Sequence, residues 1–451
     1  MEIKIRILII LVAFSLSLLQ SCANSSEATS SDPDTTIFES IGPICPPPLQ
    51  AAAAGYTYLA FREEFSSTSG IDMNDSGQPG YNFYRRRPFG YPVTPNSGIS
   101  VADGVLILTS IKRGANDGLY TVCRPNGWAA NTYTGFAVRD GAYFEARISF
   151  DPKPTASLPP GQSYGWPAFW SMAAEHLYGN ATEAIECDFF DKYTNQTGSN
   201  PTGPYDRYLG GLHRWEASST STIVNWSTLF IDVPGVNWTT WNIPGTLWKA
   251  GTKGTIDFYF NNVLKTQNPL PGSPWELGNN QTWPVILGSD NWPMKVDWVR
   301  VWTKPPLEHN AVYEIAPYHQ QDSRLTSGGT GNNYVSIQND LGSGTNLAQR
   351  WKAVYMGNGY YEFVPQNETT KSLTALGTSN GRYVIQSSVT ESTAHYWRVI
   401  MGTPFDGVVE LEPVSAFRHR LEVTDSGGPG AGVDIRQDQD APNQRWIMHK
   451  Q

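Results

Sequence analysis

The C-terminal third of the chain repeats itself three times at an interval of 48 residues. A strand-like segment ending in proline recurs at residues 313–317, 361–365 and 409–413. A leucine recurs at the same steps and a tryptophan closes each unit, at Leu325, Leu373 and Leu421 and at Trp351, Trp397 and Trp446. Such repeats bury their apolar faces only against one another. Because three units form a closed set, we predict a pseudo-threefold barrel over residues 305–451 and not an open solenoid.

Residues 51–304 have a different pattern, in which short apolar and aromatic runs are separated by turns rich in Gly, Pro and Asn. Examples of these runs are residues 105–108, 142–150, 255–260 and 294–302. No ten-residue amphipathic helix stands out, and many short strands over about 250 residues are typical of a two-sheet sandwich. We therefore predict an all-β chain, with a β-sandwich jelly roll at residues 51–304 followed by the C-terminal pseudo-threefold barrel.

One run of the first domain carries three carboxylates where a strand should bury apolar residues. Glu186 and Asp188 are two residues apart and point to one face of a strand, while Cys187 points to the other. Asp191 is an odd step away, and a β-bulge would bring it to the face of the other two acids. Crowding raises the pKa of at least one acid, which gives the ionised and protonated pair that a glycosidase needs. A calcium site or a solvated edge strand would have the same spacing.

Charge and composition exclude one class of partner and favour another. The formal net charge is −9, so no basic surface for nucleic acid is expected. The 16 Trp and 22 Tyr residues provide flat apolar faces with polar edges that suit sugar rings, although aromatic residues also fill all-β cores. The 7 His residues have no metal spacing, so we expect no catalytic metal and no required cofactor. The expected partner is a polysaccharide, bound by a monomer.

The first 22 residues have the pattern of an export signal. A basic start precedes an apolar run at residues 7–19, which is too short for a typical membrane-spanning helix. Residues 19–22, Leu-Gln-Ser-Cys, resemble a bacterial lipobox, which implies lipidation of Cys22. Residues 23–50 would then form a flexible tether. We expect an exported cell-envelope lipoprotein, periplasmic or on the outer surface, that meets the membrane only through its lipid anchor.

Four segments of the first domain together resemble glycoside hydrolase family 16. They are the acidic run at 186–191, Gly-Ala-Tyr-Phe-Glu-Ala-Arg at 141–147, Trp-Pro-Ala-Phe-Trp at 166–170 and the closing strand at 294–302. The family motif is Glu-x-Asp-x-(x)-Glu, and this chain has its longer, bulged form. The resemblance implies that Glu186 is the nucleophile, Asp188 tunes the charge, and Asp191 is the general acid/base of a retaining mechanism. Some members of the family carry a structural calcium, which is therefore a possible ion here.

The chain departs from that family at Asp191, where glutamate is usual. Aspartate is one methylene shorter, about 1.5 Å of reach, and retaining enzymes hold their two carboxyl groups about 5–5.5 Å apart. Reduced activity and an inverting mechanism are the alternatives that this departure leaves open.

Four further residues are candidates for holding the substrate. Indole rings stack on pyranose faces, and an imidazole can hydrogen-bond a hydroxyl or Asp191. The candidates are Trp166, Trp170, His213 and Trp215. A place in the core is the alternative for Trp166 and Trp170.

The C-terminal repeats resemble ricin-B-type trefoils, whose units carry a Gln-x-Trp signature. Two units keep it, at residues 349–351 and 444–446, and the middle unit has His-Tyr-Trp at 395–397. In that family an acid after the repeated leucine holds the sugar, and here only Glu422 keeps a carboxylate. The resemblance therefore implies carbohydrate binding in the third unit, by Glu422 with Gln444.

The predicted function is that of an endo-acting, retaining glycoside hydrolase that cleaves an extracellular β-linked polysaccharide, with an appended carbohydrate-binding trefoil. Bulged-motif members of the family act on β-1,3-glucans or algal β-galactans, and the residues do not decide between these substrates. A non-catalytic surface lipoprotein that binds polysaccharide and a transglycosylase are the alternatives.

Overall fold

Strands dominate the fold, as the alternating sequence pattern predicts. The computed structural model describes residues 45–85, 93–109, 117–123, 134–152, 166–174, 183–194, 205–216, 223–250, 254–267, 281–290, 293–329, 331, 333–342, 346–357, 359–388, 393–401, 408–416, 418–439 and 441–451. The helical segments within these ranges are short: helix α1 (Leu49–Ala53) and 3-10 turns at Thr68–Gly70, Asn96–Gly98, Leu347–Gln349, Thr393–His395, Thr424–Ser426 and Pro442–Gln444. None of the described helices has the length and apolar character needed to cross a bilayer.

Two eight-stranded sheets form the sandwich within the described part of the chain. The first contains β1 (Tyr58–Glu63), β4 (Ile99–Ala102), β5 (Val105–Leu108), β10 (Ala142–Ser149), β15 (Pro244–Lys249), β16 (Thr255–Phe260), β17 (Val263–Gln267) and β20 (Met294–Thr303). The second contains β2 (Ile71–Asp72), β3 (Phe83–Tyr84), β6 (Asp117–Tyr120), β11 (Trp166–Met172), β12 (Glu183–Thr194), β13 (Arg207–Glu216), β14 (Ile223–Asp232) and β19 (Ile286–Asp290). Two short pairs complete it: β7 (Val122–Cys123) with β8 (Thr134–Gly135), and β9 (Ala137–Val138) with β18 (Trp283–Pro284).

One aromatic-rich core lies between the two sheets. Phe144 of the first sheet stacks on Phe189 of the second, with ring centroids 4.4 Å apart. Phe169 meets Phe189 edge-on at 4.9 Å. Cys187 is fully buried in the same core, as the alternation of its strand predicts. The face of β12 that carries Glu186 and Asp188 therefore points out of the sandwich.

The C-terminal repeats form a closed barrel, which confirms the predicted trefoil architecture. The barrel strands within the described residues are β21 (Val312–Pro317), β24 (Arg350–Gly357), β25 (Tyr360–Pro365), β28 (Trp397–Met401), β29 (Val408–Pro413) and β32 (Trp446–Lys450). Each unit also sends out one hairpin: β22 (Ser323–Thr326) with β23 (Ser336–Asn339), β26 (Lys371–Ala375) with β27 (Arg382–Ser388), and β30 (His419–Val423) with β31 (Val433–Gln437). Each unit thus contributes its first and fourth strands to the barrel and its second and third to a cap.

The same tryptophan hydrogen bond closes every unit. In each one a fully buried indole N–H donates to the backbone carbonyl of the repeated leucine. The three bonds are Trp351 Nε1 to Leu325 O at 2.8 Å, Trp397 Nε1 to Leu373 O at 2.9 Å and Trp446 Nε1 to Leu421 O at 2.9 Å. The leucine supplies the carbonyl that accepts a hydrogen bond from the indole N–H that the tryptophan buries. This bond explains why the two residues recur together in the sequence.

The first strand of the sandwich contributes to the barrel core, within a compact unit that spans residues 47–451. Tyr58 of β1 lies in the barrel core, where its ring packs against Tyr355 and Tyr361. The Tyr58 hydroxyl donates to the carbonyl of Val399 and accepts from its N–H. Gly359 has a φ of +82° and lies so close to Leu59 that a Cβ would sit 2.5 Å from the Leu59 carbonyl oxygen, so only glycine fits there. The barrel is therefore packed onto the first strand of the sandwich.

Candidate active site

Strand β12 carries all three acids to one face because it contains the predicted bulge. Phe169 and Trp170 are consecutive residues of β11, but their partners on β12, Phe190 and Asp188, are two residues apart. As a result the consecutive residues Phe189 and Phe190 both lie fully buried in the core. The alternation is thereby reset, and Asp191 returns to the outer face, where it lies partly exposed.

Cross-strand pairing sets the neighbours of the acids. Glu186 lies between Met172 on β11 and His213 on β13, while Asp188 lies beside Trp170. Side chains that face each other across an antiparallel pair have Cβ atoms about 4.5–5.5 Å apart. The register therefore brings His213 and Trp170, two of the four predicted substrate-binding residues, next to the acids.

Two hydrogen bonds hold the acids in place. His213 Nε2 lies 2.8 Å from Asp188 Oδ2, and Asp188 is nearly buried. Trp215 Nε1 donates to Glu186 Oε2 at 2.9 Å. Sequence reasoning expected His213 to meet a hydroxyl or Asp191, and in the structure it meets Asp188. The carboxylates thus have fixed orientations before any substrate binds, which is what a preorganised catalytic site requires.

The surroundings shift the pKa values of Glu186 and His213. Burial, followed by the charges of Asp188 and Asp191, raises the pKa of Glu186 well above its usual value, although the Trp215 N–H bond favours the ionised form. Burial lowers the pKa of His213, but the hydrogen bond to Asp188 and the charges of Asp188 and Asp191 outweigh it, so that the pKa is raised overall.

The raised pKa of Glu186 predicts where activity is lost in acid. A nucleophile works only when ionised, so kcat/KM should fall as the pH drops through this raised pKa, at a higher pH than for an ordinary glutamate. Replacing Asp188 by asparagine removes a charge that raises the pKa of Glu186. The acid limb of the kcat/KM profile should therefore move to lower pH. In Asp297→Asn, which alters an acid on the first sheet, the limb should not move. An acid limb unchanged in Asp188→Asn would contradict this coupling.

Apolar and aromatic side chains form the floor beside the acids. Tyr120, Met172 and Ile286 make a small buried cluster on the outer face of the second sheet, and Trp170 and Trp215 pack against it, partly exposed. Sequence reasoning missed these three residues. Counting in twos along β11 from Trp170 would have found Met172, but Tyr120 and Ile286 are placed by pairing across β6, β19 and β11. Trp166 begins β11, and its side chain lies outside the described part of the structure.

Three ligand-type residues of this site are close enough to hold a metal ion. One ligand atom each of Glu186, Asp188 and His213 lie within 4.8 Å of one another. However, the 2.8 Å contact between His213 and Asp188 is a direct hydrogen bond, which an ion bound by both would have to displace. The three residues are therefore arranged as hydrogen-bonded side chains, with two of them in direct contact. A structural calcium elsewhere stays a prediction.

The two predicted sugar-binding residues of the trefoil lie inside it. Gln444 is fully buried and donates from Nε2 to Glu422 Oε2 at 2.9 Å and to the Gln437 carbonyl at 3.0 Å. Glu422 is only 4% exposed and forms an ion pair with Arg436 at 3.3 Å. Neither side chain offers a sugar an accessible surface, because the acid and the amide satisfy each other. Their placement gives them a structural role and does not support the predicted sugar contact.

The equivalent positions of the other units confirm this structural role. Gln349 bonds Thr326 in the first unit, and His395 bonds Thr374 in the second. Each pair joins the residue after the repeated leucine to the residue two positions before the tryptophan, as Glu422 and Gln444 do. The predicted export signal, Cys22 and most of the tether lie outside the described residues.

Comparisons with known proteins find likenesses among solved structures only. No protein-family model matches the sequence, and no curated protein sequence matches it. The GlcNAcα1-4Gal-releasing endo-β-galactosidase from Clostridium perfringens is 16% identical, with 87% of this chain and 97% of that chain covered and a TM-score of 0.37. Porphyranase B from Zobellia galactanivorans is 15% identical, with 55% and 92% covered and a TM-score of 0.35.

The designed threefold-symmetric protein ThreeFoil is 25% identical, with 31% of this chain and 97% of that chain covered and a TM-score of 0.28. At these identities and TM-scores the likenesses decide nothing about activity. The acids and their surroundings have to carry the functional conclusion.

Proposed function

We propose that this chain is an endo-acting, retaining glycoside hydrolase that cleaves an extracellular β-linked polysaccharide, either a β-1,3-glucan or an algal β-galactan. The observation that carries the proposal is the outer face of β12. There Glu186, Asp188 and Asp191 lie together, with Trp170 and Trp215 beside them. Paired carboxylates next to partly exposed indole rings combine acid/base chemistry with surfaces that fit pyranose rings.

In this mechanism two acids exchange roles over two steps. Glu186 attacks the anomeric carbon while the bond to the leaving sugar breaks, and Asp191 gives its proton to the leaving oxygen. A covalent bond between the sugar and Glu186 results. Asp191 then takes a proton from water, which attacks the same carbon and frees Glu186, so that the configuration is retained.

The pKa of Glu186 depends on the charge of Asp191, which links the two roles. The competent state needs Asp191 protonated and Glu186 ionised. A proton on Asp191 removes one of the charges that raise the pKa of Glu186, so protonating the acid releases the nucleophile. Asp188 keeps its orientation through His213, and Trp215 donates to Glu186 in the form that attacks.

The experiment that tests the proposal is a digestion panel of soluble β-1,3-glucans and red-algal β-galactans. We expect new reducing ends, a rapid fall in viscosity and a first product with the β anomeric configuration by proton NMR. An α product would mean inversion, and transfer to added sugar without new reducing ends would mean transglycosylation. If no polymer is cut while one retards the protein in an affinity gel, the chain is a binding protein.

The location of the protein is a separate part of the proposal. The signal at residues 1–22 supports export, and the lipobox supports attachment through Cys22. Incorporation of labelled palmitate that is lost in Cys22→Ala would support the anchor. Retention of the label in that variant would exclude Cys22 as its site.

A further inference from the structure

The three hairpins of the trefoil meet in a ring, and one equivalent residue of each lies at the meeting point. The ring consists of backbone pairs between successive hairpins: Tyr334 with Ile385, Tyr383 with Asp434, and Gly432 with Ser336. The valine that follows each of the three equivalent residues is buried in the trefoil core. Tyr334, Tyr383 and Gly432 therefore face outward at the pseudo-threefold axis.

The two tyrosines form an exposed pair. Their ring centroids are 5.0 Å apart with an interplanar angle of 70°, an edge-to-face arrangement. Tyr334 is 62% exposed and Tyr383 is 52% exposed. At the third position a Cβ on Gly432 would have one neighbour within 4 Å, the Thr424 hydroxyl, so this side of the pair is open. We call the two rings the axial tyrosine platform.

A role of the two tyrosines in shielding the hairpins from water explains only part of their arrangement. Ile385 lies opposite Tyr334 and shares a strand face with Tyr383, and it is 9% exposed although it is not part of the trefoil core. The two tyrosines lie beside Ile385 in the register, yet each residue remains more than half exposed. Paired exposed aromatic rings mark interaction sites more often than isolated ones do.

We propose that the axial tyrosine platform is a carbohydrate-binding site that stacks on a pyranose ring of the polymer. The inference rests on the proposed function, which supplies a polysaccharide as the ligand class. It also gives the trefoil a sugar site in place of Glu422 and Gln444, whose side chains are buried and bonded to each other.

The surroundings of the platform favour a sugar over a protein partner. The strand register pairs Tyr383 with Asp434, whose side chain is buried, and Gly432 and Ser336 continue the ring. Two rings among small and polar residues make a narrow apolar strip, whereas a stable protein interface buries about 800 Å² on each partner. A pyranose has an apolar face that covers one ring and a rim of hydroxyls for polar neighbours.

A second binding site on the barrel, which packs against β1, would keep the polymer near the acids. The gain arises because a chain bound at one site reaches the other at a high effective concentration. The benefit requires a ligand long enough to span both sites. Removal of the platform should therefore raise KM for polymer and leave kcat/KM for a short oligosaccharide unchanged.

The test uses affinity electrophoresis of the full chain with Glu186→Gln, which prevents digestion, against the complete glycan panel. In Tyr334→Ala/Tyr383→Ala we expect at least about tenfold weaker retardation by the polymer that retards the parent. Tyr334→Leu/Tyr383→Leu keeps an apolar cover over Ile385 but removes the flat rings, and it should lose binding to the same extent. Leu341→Ala, at another exposed apolar residue of the trefoil, should bind normally.

The outcomes separate the two proposals. If the Leu pair binds as well as the parent, or if no glycan retards the parent, the platform is not a sugar site, whatever the wild-type chain digests. If the wild-type chain cuts no glycan while the platform variants lose retardation, the hydrolase proposal fails and the platform proposal stands.

Discussion

Replacing Glu186 by glutamine is expected to lower kcat on the cleaved polymer by about 10⁴-fold or more, because the amide cannot form the glycosyl intermediate. The change keeps the shape of the side chain, so the Trp215 N–H can still donate to the amide oxygen. Polymer binding should therefore be retained. Initial rates of reducing-end release and affinity-gel retardation measure the two properties separately.

The same substitution should also raise the thermal stability at neutral pH. Because the folded protein raises the pKa of Glu186, folding favours its protonated form, and ionisation costs stability as the pH rises through that pKa. Glutamine cannot ionise, so the variant avoids this cost. The gain in Tm over the wild type should disappear in acid, where Glu186 is protonated in both the folded and the unfolded states.

Asp297→Asn is the matched control for Glu186→Gln. It makes the same carboxylate-to-amide change on the first sheet, where Asp297 pairs with Arg147. This variant should keep wild-type kcat, since it lies away from the acidic strand. If Glu186→Gln retains more than about a tenth of wild-type kcat, the nucleophile has to be sought elsewhere.

Truncating Trp446 to alanine is expected to lower the free energy of unfolding by about 3–5 kcal/mol. The indole is fully buried in the trefoil core and donates to the Leu421 carbonyl, so both packing and a hydrogen bond are lost. Urea denaturation followed by circular dichroism measures the change. By pseudo-symmetry, Trp351→Ala should cost a similar amount, since its indole makes the equivalent bond.

Trp446→Phe separates the contribution of packing from that of the hydrogen bond. It keeps much of the ring but leaves the Leu421 carbonyl without its donor, and the expected cost is about 1–3 kcal/mol. A loss below about 1 kcal/mol in Trp446→Ala would show that the trefoil core repacks around the site and that the repeated tryptophan is not essential to it.

The local sequence pattern was sufficient to predict the features that depend on alternation and repetition. Two-residue spacing put Glu186 and Asp188 on one face, and the extra residue before Asp191 required a bulge that the structure contains. The interval of 48 residues predicted three barrel units. These features follow from backbone geometry alone, since a strand alternates with period two and a closed barrel needs complementary repeats.

The burial of Glu422 has a physical cause that a motif cannot reveal. A carboxylate after the repeated leucine is available to a sugar only when no side chain of the protein bonds it first. Gln444 and Arg436 both reach it. Whether these two side chains reach Glu422 depends on how the third hairpin packs against the last turn. Sequence spacing does not specify that packing.

By itself, the sequence determined the all-β class, the two architectures and the strand that carries the acids, because each is encoded in spacing along one segment. Only the tertiary structure decided which side chains meet. It placed His213 on Asp188, Tyr58 in the barrel core, and Tyr334 against Tyr383. These contacts join residues from different strands, and their register is set by the packing of whole sheets and hairpins against one another.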